Sequence, residues 1–144
     1  MYVVDASVWV SRFVEQDKFH QESYDWILTL MSARVSVIEP LLVLPELAGA
    51  VARQTNGANG DRAVRLMASL PGVDFVDLDT RLARHAADLA SRLQFRGSDA
   101  IYLALADDLG MELVSWDDEH LNRCTSVAKV HRPSDLLART RGET

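Results

Sequence analysis

Two hydrophobic periodicities alternate along this chain, and the alternation restricts it to few folds. Short apolar or β-branched runs at Val3-Val4, Val35 to Ile38, Phe75-Val76 and Leu113-Val114 each stand near a turn signal or polar break, and Val127 to Val130 reads as a fifth. Longer segments with helical spacing lie between them. The clearest is Leu82, Ala86, Leu89, Leu93, which keeps to one helix face behind the N-cap signal Asp79-Thr80. Ile101, Leu105 and Leu109 mark another, with Ser98 read as its cap and Gly110 as its stop. Leu42, Leu47, Ala50 and Val51 mark a third beyond Pro40, and His20 to Met31 reads as helical too. Strands that alternate with helices need crossover connections. The expected fold class is therefore α/β, with a short, mostly parallel sheet covered on both faces.

The length of 144 residues suits one domain, placed at 1–138, followed by a polar tail at 139–144 that is expected to fray. The stretch Gln54 to Gly60, with Asn56-Gly57 and Asn59-Gly60, reads as a turn between two helices and not as a boundary. No apolar stretch approaches the roughly 20 residues of a membrane span. Asp5, Arg12 and Glu15 break the opening apolar run and no basic segment precedes it, so it does not read as a signal peptide. Cys124 is the single cysteine, which forbids an internal disulfide and fits a reducing compartment. The expectation is a cytoplasmic protein without membrane association. The net charge of −6 argues against a general polyanion binder. If four of the 21 acids serve a metal site, however, 17 acids face 15 bases and the remainder is nearly neutral.

Asp5 is the residue that calls for explanation. Tyr2 to Val4 reads as a buried strand and Val8 to Val10 resumes the apolar pattern, yet a carboxylate interrupts them. In open parallel sheets, ligands sit at the carboxyl ends of the strands. Asp5 lies at the end of the first strand, and Asp117 follows Leu113-Val114-Ser115 in the same way. Asp99 falls in the first turn of a helix that starts from that sheet edge, and Glu46 lies about one turn inside the helix after Pro40. Taken singly, each has a plain structural reading. Asp5 reads equally well as a helix cap, Asp99 as a first-turn acid, the run Asp117 to Glu119 as a capped short helix with acids in its first turn, and Glu46 as a solvated helix residue. Together they share one sheet edge, where unpaired carboxylates would repel each other. A divalent cation removes that cost. Hard oxygen donors favour Mg²⁺ or Mn²⁺, while Cys124 and the four histidines lack zinc-ligand spacing. Such ions activate water and stabilise charge on a phosphate, which is the chemistry of phosphodiester hydrolysis.

The order DAS near the start, PEL in an early helix, GSDAIYLALA in a late helix and then LVSWDDEHL resembles the PIN-domain nucleases. It is most similar to the small single-domain toxins of VapBC toxin–antitoxin pairs, over Tyr2 to Leu137. The resemblance implies a three-layer α/β/α sandwich and a ribonuclease that uses Mg²⁺ or Mn²⁺. It also implies an RNA substrate, a homodimer and a cognate antitoxin partner. Carried over, Asp5, Glu46, Asp99 and Asp117 match the acidic positions, and Ser7 and Ser115 match the hydroxyl positions beside them. Ser115 stands where threonine is more usual. Asp118 is a further supporting acid, placed to reach the site through water.

Phosphate binding needs positive charge near the site. Arg53 shares a helix face with Glu46, Arg92 and Arg96 precede Asp99, and Arg12 follows Asp5 by about two turns. These are the candidate RNA-binding residues, with solvated surface arginines as the plain alternative. Trp9, Trp26 and Trp116 read as packing, although Trp116 flanks the acids. His85 reads as structural and Cys124 as a small hydrophobe. His120 is close to the site in sequence without an evident role. Two other functions compete with a toxin ribonuclease. One is a PIN scaffold that binds partners in RNA processing without catalysis. The other is a phosphoryl-transfer domain using Asp5 as nucleophile, but DAS lacks the second acid of the dehalogenase type and no receiver-type lysine follows the last strand.

Overall fold

The computed structural model describes residues 1–142. The chain runs β1 (Tyr2–Val4), α1 (Ala6–Phe13), α2 (His20–Ser32), β2 (Val37–Pro40), α3 (Val43–Gln54), α4 (Gly57–Ala68), β3 (Val73–Val76), α5 (Thr80–Leu93), α6 (Gly97–Leu109), β4 (Glu112–Val114), α7 (Asp118–Arg123), β5 (Val130–His131) and α8 (Pro133–Arg141). All strand pairs are parallel, in the order β3-β2-β1-β4-β5, and helices flank the sheet. The chain builds outward from β1 through β2 to β3, then returns to add β4 on the other side of β1. The strand order therefore reverses between β1 and β4. In a parallel sheet, the crevice outside the carboxyl ends at such a reversal is where ligands bind.

The helices obey their sequence signals with instructive exceptions. Asp79 caps α5 by accepting the Leu82 N–H at 2.8 Å. Leu82, Ala86 and Leu89 on its inner face are at most 4% exposed, and each buried leucine contributes roughly 2 kcal/mol. α6 behaves differently. It packs between α5 and strands β1, β2 and β4, so Ala100 and Tyr102 through Ala106 are all buried, whereas Leu109 is exposed. A helix covered on two sides has no single apolar stripe. Ser98 does not cap it. α6 starts at Gly97 from an extended Arg96, and Ser98 lies in its first turn. Gly110 does end it, at φ 62°.

Two strands are displaced from their apolar runs, for the same reason. Arg34 turns left-handed at φ 54° and the Val35 N–H returns to the Leu30 carbonyl, so Val35 closes α2 and β2 begins at Val37. Likewise Val127 and Ala128 donate to the Cys124 carbonyl and close α7, which leaves only Val130–His131 to pair with β4. Helix closure takes the first residues of each run. The turn between α3 and α4 is shorter than Gln54 to Gly60, because Asn56 caps α4 at once by accepting the Asn59 N–H at 2.9 Å. Gly60 then faces α3, where an added Cβ would meet the Ala48 carbonyl oxygen at 2.6 Å. At the C-terminus α8 runs through Arg141 and ends on Gly142, so the stretch expected to fray is helical that far. The rest of that stretch, 143–144, lies outside the described residues. Among those described, no helix is long and apolar enough to cross a membrane.

Candidate metal centre

Asp5, Glu46, Asp99 and Asp117 line one cavity of about 720 Å³ at the reversal between β1 and β4, together with Ser7, Arg53, Lys18, Phe19 and Trp116. Each acid reaches it from a different element. Asp5 ends β1, where its N–H continues the ladder to the Val114 carbonyl at 2.9 Å. Its side chain also caps α1, with Oδ2 accepting the Ser7 N–H at 3.0 Å. Asp117 caps α7, its Oδ1 accepting the Glu119 N–H at 2.7 Å. The capping readings of these two acids are thus correct, and capping leaves capacity over. Oδ1 of Asp5, Oδ2 of Asp117 and both carboxylate oxygens of Asp99 take no hydrogen bond among the described residues. Glu46 Oε2 accepts a hydrogen bond from the Tyr102 hydroxyl at 2.5 Å. Tyr102 lies one turn beyond Asp99 on α6, and burial holds its hydroxyl protonated far above the ordinary range, where it remains a donor.

The electrostatics match the geometry. Burial pushes the Asp99 carboxyl up to about 6, opposed by His120 and reinforced by the charges of Asp5, Asp117 and Glu46. Burial also raises Glu46, with its bond to Tyr102 pulling the other way and Asp5 adding to the rise. Each carboxylate makes its neighbours harder to ionise, and a cation among them reverses the sign of that interaction.

His120 is the residue the sequence left without a role. It is fully buried, and one ligand-type atom each from Asp5, Asp99 and His120 lie within 4.8 Å of one another. Its ring is already committed, however. Nε2 faces the Asp99 carbonyl oxygen at 3.2 Å and must donate to it, while Nδ1 faces Ser115 Oγ at 3.1 Å. Ser115 Oγ in turn accepts the Asp117 N–H at 2.9 Å and donates to Asp5 Oδ2 at 3.3 Å. His120 therefore braces Asp99, Ser115 and Asp117 from behind. The donors left open are carboxylate oxygens, a set that fits a hard divalent cation better than zinc. Cys124 lies behind the same acids, and burial with their negative charge pushes its thiol up to about 12, which keeps it neutral.

The basic candidates separate. Arg53 lines the cavity, and its guanidinium folds back over Gly49, where an added Cβ would stand 3.1 Å from Nη1. Lys18, on the loop between α1 and α2, lines it too and carried no sequence signal. Arg92 pairs with Asp88 at 2.9 Å on the exposed face of α5, and Arg96 is exposed at the start of α6 without reaching the cavity. Arg12 lies between Tyr24 and Phe13, its guanidinium carbon 4.2 Å and 5.2 Å from the ring centres, and lines a second cavity of about 380 Å³. Ser7 lines the acid cavity and accepts the Trp116 N–H at 3.1 Å. Asp118 turns outward to pair with Arg132 at 2.7 Å and does not line the cavity.

A second buried acid lies behind the site. Glu39 of β2 is fully buried, and its Oε1 accepts the Val4 N–H at 3.1 Å and the Trp9 indole N–H at 2.9 Å. Burial raises its carboxyl well above the usual range, and Oε2 has no partner among the described residues. It replaces a strand-to-strand bond between β1 and β2, which pair only at Tyr2 and Val37. Its alternation with Val37 marks a buried parity, a signal present in the sequence.

A PIN-domain family model matches residues 2–125. Solved structures share the fold at low identity. One is the sarcin-ricin-loop-cleaving toxin VapC20 of Mycobacterium tuberculosis, with TM-score 0.70 and 19% identity over 81% of this chain and 90% of that one. Another is VapBC2 of Rickettsia felis bound to a promoter DNA fragment, with TM-score 0.70 and 12% identity over 91% and 97%. A third is FitAcB of Neisseria gonorrhoeae, with TM-score 0.67 and 17% identity over 93% and 99%. No curated protein sequence matches. With a family match over most of its length and an acid-lined crevice where its sheet reverses, the chain belongs to the PIN-domain family.

Proposed function

We propose that the protein is an endoribonuclease that depends on Mg²⁺ or Mn²⁺ and acts as the toxin of a toxin–antitoxin pair. The observation that carries this reading is the meeting of Asp5, Glu46, Asp99 and Asp117 in one cavity, with oxygens free of hydrogen bonds. These four hold the ion. When bound, such an ion supplies positive charge against the phosphate under attack and makes a nearby water more acidic. Ser115 and His120 keep Asp5, Asp99 and Asp117 in position. Arg53 and Lys18 bind flanking phosphates of the RNA, so an acidic protein presents a local basic rim. The family resemblance gives products with 5′-phosphate and 3′-hydroxyl ends.

The partner reading is supported by the neighbours' descriptions: VapC20 as a toxin that cleaves the sarcin-ricin loop, VapBC2 as a complex on promoter DNA. By the family resemblance this chain forms a homodimer and is blocked by a cognate antitoxin, and its single cysteine fits a place in the cytoplasm. The test is cleavage of total cellular RNA by purified protein in Mg²⁺, mapped by end sequencing. Cleavage is expected to disappear in chelator and in Asp99→Asn, with the fold retained by circular dichroism. Cleavage that survives both changes refutes the reading.

A further inference from the structure

We propose that Phe19 and Trp116, with Lys18, form a subsite that holds one unpaired nucleobase beside the acid cluster. The proposal rests on the nuclease reading and adds the residues that hold a base next to the acids. All three residues line the same cavity as the acids. The rings of Phe19 and Trp116 lie parallel, 4.0 Å apart and 4° from coplanar, and the Lys18 ammonium stands 4.6 Å over the Phe19 ring. Trp116 sits between Ser115 and Asp117, so the backbone fixes the distance from this platform to the acids.

The platform is built to keep its shape. The Trp116 indole N–H donates to Ser23 Oγ at 2.8 Å, and Ser23 stands 2.6 Å from Ser11 Oγ. Ser11 gives its own proton to the Val8 carbonyl at 3.0 Å. Proton count then sets every direction in this buried chain, from Trp116 through Ser23 and Ser11 to the backbone of α1. On the other side, Asp17 Oδ1 accepts the Phe19 N–H at 2.8 Å and fixes the loop that presents the ring. Trp9 and Trp26, which serve the core, are 0% and 2% exposed. Phe19 and Trp116 are only half-buried and keep ring surface in the cavity.

Aromatic faces hold bases by stacking, without regard to their identity, and a cation beside them meets the phosphate. A base in a duplex has both faces covered by its neighbours and is not available. On binding, the base takes the outer face of Phe19, and the flexible Lys18 moves aside to the phosphate it carries.

Trp116 reports on the event, since it is the one tryptophan of the three that is not buried. Wild-type protein in chelator is titrated with a short single-stranded oligoribonucleotide, with the same oligomer carrying abasic sugars, and with its duplex, while tryptophan emission is followed. The single strand is expected to quench. The abasic strand and the duplex are expected to bind about tenfold more weakly and to leave the emission nearly unchanged. Phe19→Leu, which keeps apolar volume, should lose the same factor for the ordinary strand and nothing for the abasic one. Equal binding and quenching by all three nucleic acids overturns the subsite, as does quenching by a protein partner and by no RNA. Should Phe19→Leu fail to fold, the wild-type comparison decides alone. Cleavage in Mg²⁺ is measured alongside. Cleavage without base-dependent quenching refutes only the subsite, and base-dependent quenching without cleavage refutes only the nuclease reading.

Discussion

Arg53 and Arg92 carry the same charge, yet of the two only Arg53 lines the cavity of the acids. Helical spacing set the difference for Arg53, which stands two turns from Glu46 on α3, and nothing local could set it for Arg92, whose face depends on how α5 packs. Arg53→Ala is expected to lower kcat/KM for RNA about tenfold, the loss of one charge-assisted contact to phosphate, while Arg92→Ala leaves it unchanged. Glu39, which does not line the acid cavity, permits a separate pH test. Its folded-state value is raised, so the native protein holds a proton that the unfolded chain releases as pH climbs past the usual 4.5. Glu39 therefore costs nothing below that pH and progressively lowers stability above it. The stability difference between wild type and Glu39→Gln, measured by urea unfolding across pH 5 to 8, should move by up to about 1.4 kcal/mol per pH unit in favour of Gln. A difference independent of pH would show that Glu39 is not held neutral.

At the scale of elements, periodicity was legible wherever one face of an element meets the core and misleading where two do. α5 packs on one side and its stripe reads true; α6 packs on two and its buried residues run consecutively from Tyr102 to Ala106. Strand starts were misread at Val35 and Val127, because closing a preceding helix competes for the same N–H groups that pairing would use. Close approach of helices was likewise invisible in one dimension. Gly60 read as part of a turn, but it is the point where α4 touches the α3 backbone. Gly60→Ala brings its Cβ within 2.6 Å of a carbonyl that cannot swing away. The variant should lose about 1–3 kcal/mol in denaturant unfolding, with an unchanged m-value. Gly49→Ala meets only the flexible end of Arg53, so it should leave stability nearly unchanged and lower RNA cleavage.

For the whole molecule, the sheet topology explains why acids so far apart in sequence become neighbours. The reversal between β1 and β4 opens the crevice, Asp5 and Asp117 flank it as the caps that follow those strands, and α3 and α6 bring Glu46 and Asp99 to its rim. That much followed from strand ends and helix starts. The brace by His120, the Tyr102 bond to Glu46, the approach of Lys18 and the outward turn of Asp118 did not, since each depends on side chains meeting across elements. Crowded carboxylates also weaken the fold on their own account. In chelator, Asp99→Asn should melt above the wild type, because it removes a charge that burial and three acids disfavour. The most direct test of the centre is titration of Mn²⁺ into the metal-free protein, with free Mn²⁺ followed by electron paramagnetic resonance. Saturable binding that is lost in Asp99→Asn is the predicted result, and an Asp99→Asn protein that takes up Mn²⁺ as the wild type does, or a wild type that takes up none, would contradict it.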